Sequence, residues 1–214
     1  MSAIIHGDGD KYWFKDGKRH RDGDFPAEEH SNGTKIWYRD DNIHRDGDLP
    51  AVILYDSLEI SRLIWYKNGK KHRDGDLPAE IVDNVIQIWW QHGKRHRDND
   101  LPAEIFVNGD QYWWSENEIH RDGDLPAMVL ANGCMNWIKH KHRDGDLPAA
   151  ILSDGSQIWF QDDECHRDGD LPAVVCTDGR LGWYKNGKRH REGGLPAIIL
   201  EDGSKYWFVD DEIC

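Results

Sequence analysis

The chain has 214 residues, 40 of them acidic and 27 basic, which gives a net charge of −13 with histidine neutral. A surface this acidic repels phosphate backbones and anionic lipid, so the composition argues against nucleic acid as a partner. No apolar run approaches the ~20 residues of a membrane span, and the first residues lack the pattern of a signal peptide. We therefore expect a protein that has no membrane span and is not secreted.

The four cysteines, Cys134, Cys165, Cys176 and Cys214, do not form a recognisable framework. They occupy different places in the repeat described next, and no two of them are spaced as CxxC. This pattern fits reduced thiols better than a set of disulfides. The predicted localisation is therefore intracellular.

An octapeptide, His-Arg-Asp-Gly-Asp-Leu-Pro-Ala, recurs eight times with few changes, and its positions are numbered below from the histidine. The octapeptide histidines are His20, His44, His72, His96, His120, His142, His166 and His190. They lie 24, 28, 24, 24, 22, 24 and 24 residues apart. A fixed period in this range indicates an array in which each repeat contacts mainly its neighbours.

A row of tryptophans follows the same period, usually seven residues before the histidine. These ladder tryptophans are Trp13, Trp37, Trp65, Trp89, Trp113, Trp137, Trp159, Trp183 and Trp207. Starting each repeat at the alanine after proline gives nine repeats, which open at residues 3, 27, 51, 79, 103, 127, 149, 173 and 197. Since no linker or composition shift interrupts them, we expect a single repeat domain over residues 1–214.

Each repeat carries the signals of a β-hairpin. In the ninth repeat, an apolar run from Ala197 meets Asp202-Gly203, which readily forms a tight turn with positive φ, and an aromatic run around Trp207 follows. A second turn, such as Asn186-Gly187 in the eighth repeat, follows the aromatic run. Two turns predict two strands in each repeat, and the regular glycine and proline argue against helix. The predicted fold is all-β: an elongated antiparallel meander of nine hairpin repeats of ~24 residues, with about 16 to 18 strands and essentially no helix.

Two repeats differ in length. From Ala51 to Trp65 the third repeat has fourteen residues where ten is usual, and we expect two extra residues in each strand, which keeps every side chain on its face. From Trp137 to His142 the sixth repeat is two residues shorter than usual, and we expect each arm of its second turn to lose one residue.

The second residue after the opening alanine is isoleucine or valine in eight of the nine repeats: Ile5, Ile53, Ile81, Ile105, Val129, Ile151, Val175 and Ile199. The residue directly after the alanine varies and includes Glu80, Glu104 and Ala150. We therefore expect the core to be a row of tryptophans against the row of isoleucines and valines.

Three kinds of chemistry are conceivable for the octapeptide. His-Arg-Asp is similar to the catalytic loop of protein kinases, but the other kinase motifs are missing. Asp-Gly-Asp offers two oxygen ligands for calcium in each loop. Cys165-His166 is the one adjacent pair of zinc-ligand types, whereas a zinc site needs four ligands. We predict no catalytic residues, no cofactor and no resident metal, with calcium kept as an alternative.

The structural interpretation assigns each octapeptide residue a place in a joint between hairpins. Arginine and aspartate pair with each other and with the next repeat, glycine permits a positive φ, leucine packs beneath, and proline begins the next strand. The histidine hydrogen-bonds a backbone carbonyl or a neighbouring aspartate, so acidic pH is expected to loosen the array. The ladder tryptophans and octapeptide histidines are thus predicted to form a structural ladder.

Two segments, Trp65-Tyr66-Lys67-Asn68-Gly69-Lys70-Lys71-His72-Arg73 and Trp183-Tyr184-Lys185-Asn186-Gly187-Lys188-Arg189-His190-Arg191, resemble MORN-like repeats. They are most similar to a divergent form that is common in large DNA viruses of amoebae. The chain lacks the Tyr-x-Gly-x-Trp core of the commoner MORN repeat. The resemblance covers essentially the whole chain and implies an elongated sheet of hairpins that serves as a scaffold or assembly surface, with no catalytic residues.

We therefore expect a non-enzymatic scaffold for protein–protein interaction or structural assembly, located in the host cytoplasm or the virion if the source is viral. The expected partners are other proteins, or further copies joined through open sheet ends, and Trp90 and Trp114 are candidate surface aromatics. The alternative is a ligand-binding module that takes calcium through the Asp-Gly-Asp loops or a glycan on the tryptophan faces.

Overall fold

The computed structural model of the protein describes residues 3–57, 59–137, 143 and 146–214. These residues form strands and turns. No helix of the length and hydrophobicity needed to span a membrane occurs among them. They divide into two compact units, residues 1–118 and 119–214, which are considered separately below.

Strands are numbered in chain order over the described residues. The first eighteen are β1 (Ala3–Ile5), β2 (Lys11–Lys15), β3 (Lys18–Arg19), β4 (Glu28–Glu29), β5 (Lys35–Ile36), β6 (Tyr38–Arg39), β7 (Asn42–Ile43), β8 (Val52–Asp56), β9 (Glu59–Ile64), β10 (Tyr66–Lys67), β11 (Lys70–Lys71), β12 (Glu80–Val82), β13 (Ile86–Ile88), β14 (Trp90–Gln91), β15 (Lys94–Arg95), β16 (Glu104–Phe106), β17 (Gln111–Tyr112) and β18 (Trp114–Ser115). The others are β19 (Glu118–Ile119), β20 (Met128–Val129), β21 (Met135–Asn136), β22 (Ala150–Ile151), β23 (Gln157–Ile158), β24 (Phe160–Gln161), β25 (Glu164–Cys165), β26 (Val174–Val175), β27 (Leu181–Gly182), β28 (Tyr184–Lys185), β29 (Lys188–Arg189), β30 (Ile198–Ile199), β31 (Lys205–Tyr206), β32 (Phe208–Val209) and β33 (Glu212–Ile213).

The main sheet of each compact unit is an open antiparallel meander. In the first unit the strands pair in the order β1-β2-β4-β5-β8-β9-β12-β13-β16-β17. In the second unit the order is β20-β21-β22-β23-β26-β27-β30-β31. Each repeat supplies one hairpin to its sheet. The predicted all-β meander of hairpin repeats is confirmed.

The chain leaves the main sheet after the ladder tryptophan, as the third repeat shows. The Trp65 N–H donates to the Ala79 carbonyl across the sheet (2.8 Å), whereas the Trp65 carbonyl accepts from the His72 N–H (3.1 Å) and closes a separate loop. Inside that loop, β10 and β11 form a two-stranded ribbon. The prediction of two strands a repeat therefore missed a second, shorter pair. Because these ribbon strands are two residues long, they carry no alternating pattern for the sequence to reveal.

The two turns of a repeat differ in geometry. In seven repeats the turn inside the main hairpin is a three-residue loop in which glycine alone has a positive φ, as at Gly33 (93°), whose N–H donates to the His30 carbonyl. In the fourth repeat Asp83 (48°) and Asn84 (53°) have positive φ instead. The ribbon turn is a two-residue turn with positive φ at both positions, as at Asn68 (51°) and Gly69 (76°). Asn and Asp tolerate this conformation better than other residues with a side chain, which explains the aspartate pair Asp40-Asp41 in the second repeat.

The insertion in the third repeat lengthens its hairpin unevenly. Strand β8 has five residues and β9 has six, and the register shifts between Leu54 and Tyr55. Ser61 is the extra residue, and its hydroxyl donates to the Leu54 carbonyl (3.4 Å). The prediction of two added residues in each strand was wrong, because a bulge absorbs the odd residue while Val52 and Ile64 keep their usual pairing. The short segment of the sixth repeat, residues 138–142, lies outside the described residues.

The core is centred on the alanine that ends each octapeptide. These alanines are 0–2% exposed, and they are Ala27, Ala51, Ala79, Ala103, Ala127, Ala149, Ala173 and Ala197. Six ladder tryptophans are also buried: Trp37, Trp65, Trp89, Trp113, Trp159 and Trp183. The predicted row of isoleucines and valines shares this face but is only partly buried, and Ile5 is 64% exposed. Alanine lies at the centre of the core because its small side chain leaves room for the tryptophan indole.

We expect Ala79→Val to destabilise the protein by about 1–3 kcal/mol, because two added methyl groups have no space in a closely packed core. Ala131→Val, at an exposed turn, is the matched control and should change stability by less than about 0.5 kcal/mol. Urea unfolding followed by tryptophan fluorescence measures both. Equal effects of the two substitutions would contradict the central role of the alanine.

Candidate functional site

The arginine at octapeptide position two joins three groups. In the fourth octapeptide, the Arg97 guanidinium lies 3.9 Å from the centroid of the Trp89 ring. Its Nε and Nη2 each donate to a carboxylate oxygen of Asp76, at position five of the preceding octapeptide (2.6 Å for both). Its Nη1 donates to the Pro102 carbonyl (3.4 Å). A cation–π contact, a bidentate ion pair and a backbone hydrogen bond therefore meet on one side chain.

This arrangement recurs in both compact units. The bidentate pairs between successive octapeptides are Arg45–Asp24, Arg73–Asp48, Arg97–Asp76, Arg143–Asp124, Arg167–Asp146 and Arg191–Asp170. In each case, hydrogen bonds from the arginine are the main cause that lowers the pKa of the aspartate. The predicted pairing of arginine and aspartate between repeats is therefore present, and it runs from each arginine back to the repeat before it.

The two partners of each pair differ in exposure. The Arg45 side chain is 13% exposed, whereas Asp24 is 55% exposed, and the other pairs are similar. The guanidinium therefore lies beneath the octapeptide loop, and the carboxylate lies on the outer surface of the loop. As a result, the octapeptide edge presents acid to the solvent although its charges are paired.

The octapeptide histidine links its own loop to the next repeat. His44 Nε2 lies 3.0 Å from Asp46 at position three of the same octapeptide, and His44 Nδ1 accepts from the Asn68 backbone N–H of the next ribbon turn (3.2 Å). This network assigns a neutral imidazole with the proton on Nε2. The predicted aspartate contact is confirmed at His20, His44, His72, His96, His120 and His166. His142 lies outside the described residues.

Protonation of His44 would break its contact with the next repeat. Burial, followed by the charges of Arg39 and Lys67, lowers the pKa of His44, and a second proton would remove the acceptor used by Asn68. The same backbone contact occurs at His20, where the Asp40 N–H donates to Nδ1 (3.3 Å).

Two unusual residues, one in the first octapeptide and one just after it, both contact the arginine of that octapeptide. Arg21 stacks on Trp13 (3.8 Å) in the usual way, but its Nη1 donates to Glu29 (3.0 Å) instead of to an aspartate of another octapeptide. Phe25 replaces the usual leucine and lies 5.0 Å from the same guanidinium. Glu29 stands where eight repeats have isoleucine or valine. These two departures thus supply Arg21 with a substitute ion pair and a second ring.

On the other face of the sheet, a buried glutamate pairs with a ribbon cation. Glu80 is buried, and Lys71 Nζ lies 2.6 Å from its carboxylate and 4.4 Å from the centroid of the Trp90 ring. Glu104 is likewise buried and pairs with Arg95, which lies over Trp114 (4.4 Å). Glu28 and Arg19 form the third such pair.

Sequence reasoning missed these pairs and treated the glutamates as variation at a tolerant position. The signal was available, because Glu28, Glu80 and Glu104 each follow a lysine or arginine placed nine residues earlier. Trp90 and Trp114, predicted as surface aromatics, are partly buried under these cations instead.

The residue at octapeptide position six is exposed in all eight octapeptides, contrary to the prediction that it packs beneath the loop. Its exposure ranges from 38 to 59%, and the residues are Phe25, Leu49, Leu77 and Leu101 in the first compact unit and Leu125, Leu147, Leu171 and Leu195 in the second. The arginine occupies the space beneath the loop, so the leucine is turned outward. We call these residues the leucine row.

Open grooves separate successive members of the leucine row. Leu49 and Leu77 line a groove of about 450 Å³ beside Trp65. Leu171 and Leu195 line a groove of about 570 Å³ beside Trp183. The same feature therefore occurs in both compact units, with apolar walls and octapeptide acids around it.

No cluster of three or more His, Cys, Asp or Glu side chains that could hold a metal occurs among the described residues. At the adjacent pair Cys165-His166, burial raises the pKa of the Cys165 thiol to about 11. His166 uses Nε2 for Asp168 and Nδ1 for the Asn186 N–H. Both properties oppose zinc binding at this pair, because zinc requires a thiolate and a free imidazole nitrogen.

We expect Arg97→Lys to lower the free energy of unfolding by about 1–2 kcal/mol, because an ammonium group cannot make the bidentate pair and the stacked contact together. Arg180→Lys is the matched control, since Arg180 pairs with Asp178 on the surface (2.8 Å), and it should cost less than about 0.5 kcal/mol. Denaturant unfolding measures both. If Arg97→Lys proved as mild as the control, the arginine would not join the repeats as described.

We expect stability to fall as the pH is lowered from 7 to 5.5. The unfolded chain binds a proton at His44 near the usual pKa of ~6.5, while the folded protein resists protonation until lower pH, so folding is favoured above this window and weakened within it. His44→Gln should cost about 1 kcal/mol at pH 7.5 and make the pH dependence shallower. Ala131→Val, the exposed-turn substitution used above, changes no ionisable group and should leave the dependence unchanged. An unchanged slope in His44→Gln would refute this assignment.

Neither the models of known protein families nor the curated proteins give a match to this chain. Its function is therefore inferred from its own nine repeats and from the surfaces that they build.

Proposed function

We propose that this protein is a non-enzymatic repeat scaffold that mediates protein–protein interaction or structural assembly. The observation that carries the proposal is the leucine row, an apolar side chain exposed at the same place in eight successive octapeptides. A single exposed leucine is ordinary, but apolar side chains repeated along one edge are typical of an interaction surface. The proposed partners are other proteins, with further copies joined through the sheet ends as a second possibility.

The octapeptide geometry supports a structural role over catalysis. Its histidine, arginine and aspartates hold one another and the neighbouring repeat, as Arg97 does with Asp76 and Trp89. A catalytic site needs a distinctive set of polar groups at one place that are available to a substrate. The same set recurs in every described octapeptide with only small changes. We therefore propose that the chain is not an enzyme.

The alternative, a ligand-binding module, receives less support from the geometry. In the third octapeptide, Asp74 is hydrogen-bonded to Lys67 and His72. Asp76 is hydrogen-bonded to Arg97. The carboxylates that calcium would use are therefore already engaged. A glycan would need open tryptophan faces, and the buried ladder tryptophans are covered by arginine. Calorimetry with calcium and with a glycan panel tests this alternative directly, and we expect no heat of binding in either.

The MORN-like resemblance, the viral setting and the intracellular location are further parts of the proposal. Hairpin repeats and the Trp-Tyr-Lys-Asn-Gly-Lys segments support the resemblance. Cys134, Cys165, Cys176 and Cys214 are free, which supports a reducing compartment such as a host cytoplasm.

The scaffold proposal is tested by site-specific photo-cross-linking in the native source. A photoreactive residue at Leu77 should give a discrete cross-linked product, identified by mass spectrometry as another protein or as a second copy. The same residue at Val107, which is more exposed and lies in a hairpin turn at the opposite strand ends, should give little or none. Absence of a discrete product at Leu77, or equal products at both positions, would contradict the proposal.

A further inference from the structure

We propose that the leucine row binds an extended, basic protein segment in the polyproline II conformation, with one apolar side chain of the segment seated in each groove. This inference rests on the proposed scaffold function and names the class of partner. It applies separately within each compact unit, where four members of the row occur.

The spacing of the row follows from the sheet. Each repeat contributes two strands to the main meander, and neighbouring strands are ~4.8 Å apart, so successive octapeptide loops are about 9.6 Å apart. A polyproline II helix rises ~3.1 Å per residue with three residues per turn, so one of its faces repeats every 9.3 Å or so. Over the three intervals of one compact unit the two periods drift apart by only about 1 Å.

Other regular conformations fit this spacing less well. In a β-strand three residues span about 10 Å, but residues three apart point to opposite sides, so every second groove would be missed. In an α-helix seven residues span about 10.5 Å, and the mismatch grows to nearly 3 Å over three intervals. The polyproline II conformation is therefore the regular backbone that presents one side chain to each groove in step.

The grooves suit apolar side chains of moderate size. The groove beside Trp65 has Leu49 and Leu77 as walls. The groove beside Trp183 has Leu171 and Leu195 as walls. A proline-rich segment loses little conformational entropy when it docks, because its unbound form already populates the extended helix. Shallow, repeated grooves can therefore contribute additively to its binding.

The charge around the row selects a basic segment. Leu171 is flanked by the carboxylates of Asp168 and Asp170 at positions three and five, which are 88% and 56% exposed. Arg191, which pairs with Asp170, lies beneath the loop. A segment with lysine or arginine between its apolar residues would meet acid on both sides of the row. A second copy of the chain, whose net charge is also −13, would place an identical acidic edge against this one, and the two edges would repel each other.

The test uses fluorescently labelled peptides and the full chain. A peptide of three Lys-Pro-Leu triplets should bind at least tenfold more tightly than a peptide of the same composition with irregularly spaced leucines, and tenfold more tightly than three Glu-Pro-Leu triplets. Affinity should rise as triplets are added from one to three. Equal binding of the regular and irregular basic peptides would overturn the period argument, and equal binding of the acidic peptide would overturn the charge argument.

Variants of the row locate the site. Leu49→Asn with Leu77→Asn should weaken binding of the regular peptide at least tenfold, while Val107→Asn should leave it unchanged. All these side chains are exposed, so circular dichroism should show the same fold in each variant. Equal loss in the Val107 variant, or no loss in the leucine variant, would overturn the site.

Failure of this inference is distinguishable from failure of the scaffold proposal. A discrete cross-linked protein at Leu77 together with no peptide binding would overturn the extended basic partner and leave the scaffold in place. Light scattering that shows a dimer abolished by the leucine substitutions would overturn it in favour of a second copy. Peptide binding that also competes away the Leu77 cross-link is the result we expect.

Discussion

The interaction on which the rest of the structure depends is made by the octapeptide arginine, which in six octapeptides lies between the tryptophan of its own repeat and the aspartate of the octapeptide before it. Arg97 makes all three contacts at once, with Trp89, Asp76 and the Pro102 carbonyl. The strands of the main sheet are short, and many have only two or three residues. Strands this short bury little surface of their own, so the contacts between loops add stability where the ladder of backbone hydrogen bonds is brief.

Because the arginine is used to join the repeats, only the remaining surface side chains are available for contact with a partner. The residues that chemistry most often employs are engaged with each other, and the histidine is a link between one loop and the next ribbon turn. What faces the solvent is a row of leucines between exposed carboxylates. A surface of this kind offers shape, apolar contact and charge, which are the properties on which the proposed docking role depends.

Differences between repeats show which contacts matter, because a change at one position is accompanied by a change at its neighbour. Glutamate after the alanine occurs with a cation nine residues earlier, as in Glu80 with Lys71, and the first arginine has Glu29 and Phe25 as substitutes for its missing partner. A buried carboxylate without its cation would be costly, so each of the three glutamates has one. The cation does not require the glutamate, since Arg189 is followed nine residues later by Ile198.

The sequence by itself determined the period, the hairpin in each repeat, the absence of helical pattern and the structural use of the octapeptide, because turns and strand patterns are set by residues close together in the chain. It did not determine the separate ribbon, the bulge at Ser61, the central place of the alanines or the outward leucine. Tertiary structure decided these. The space beneath each loop holds one large side chain, and whether leucine or arginine fills it depends on the tryptophan and the aspartate that other parts of the chain bring there.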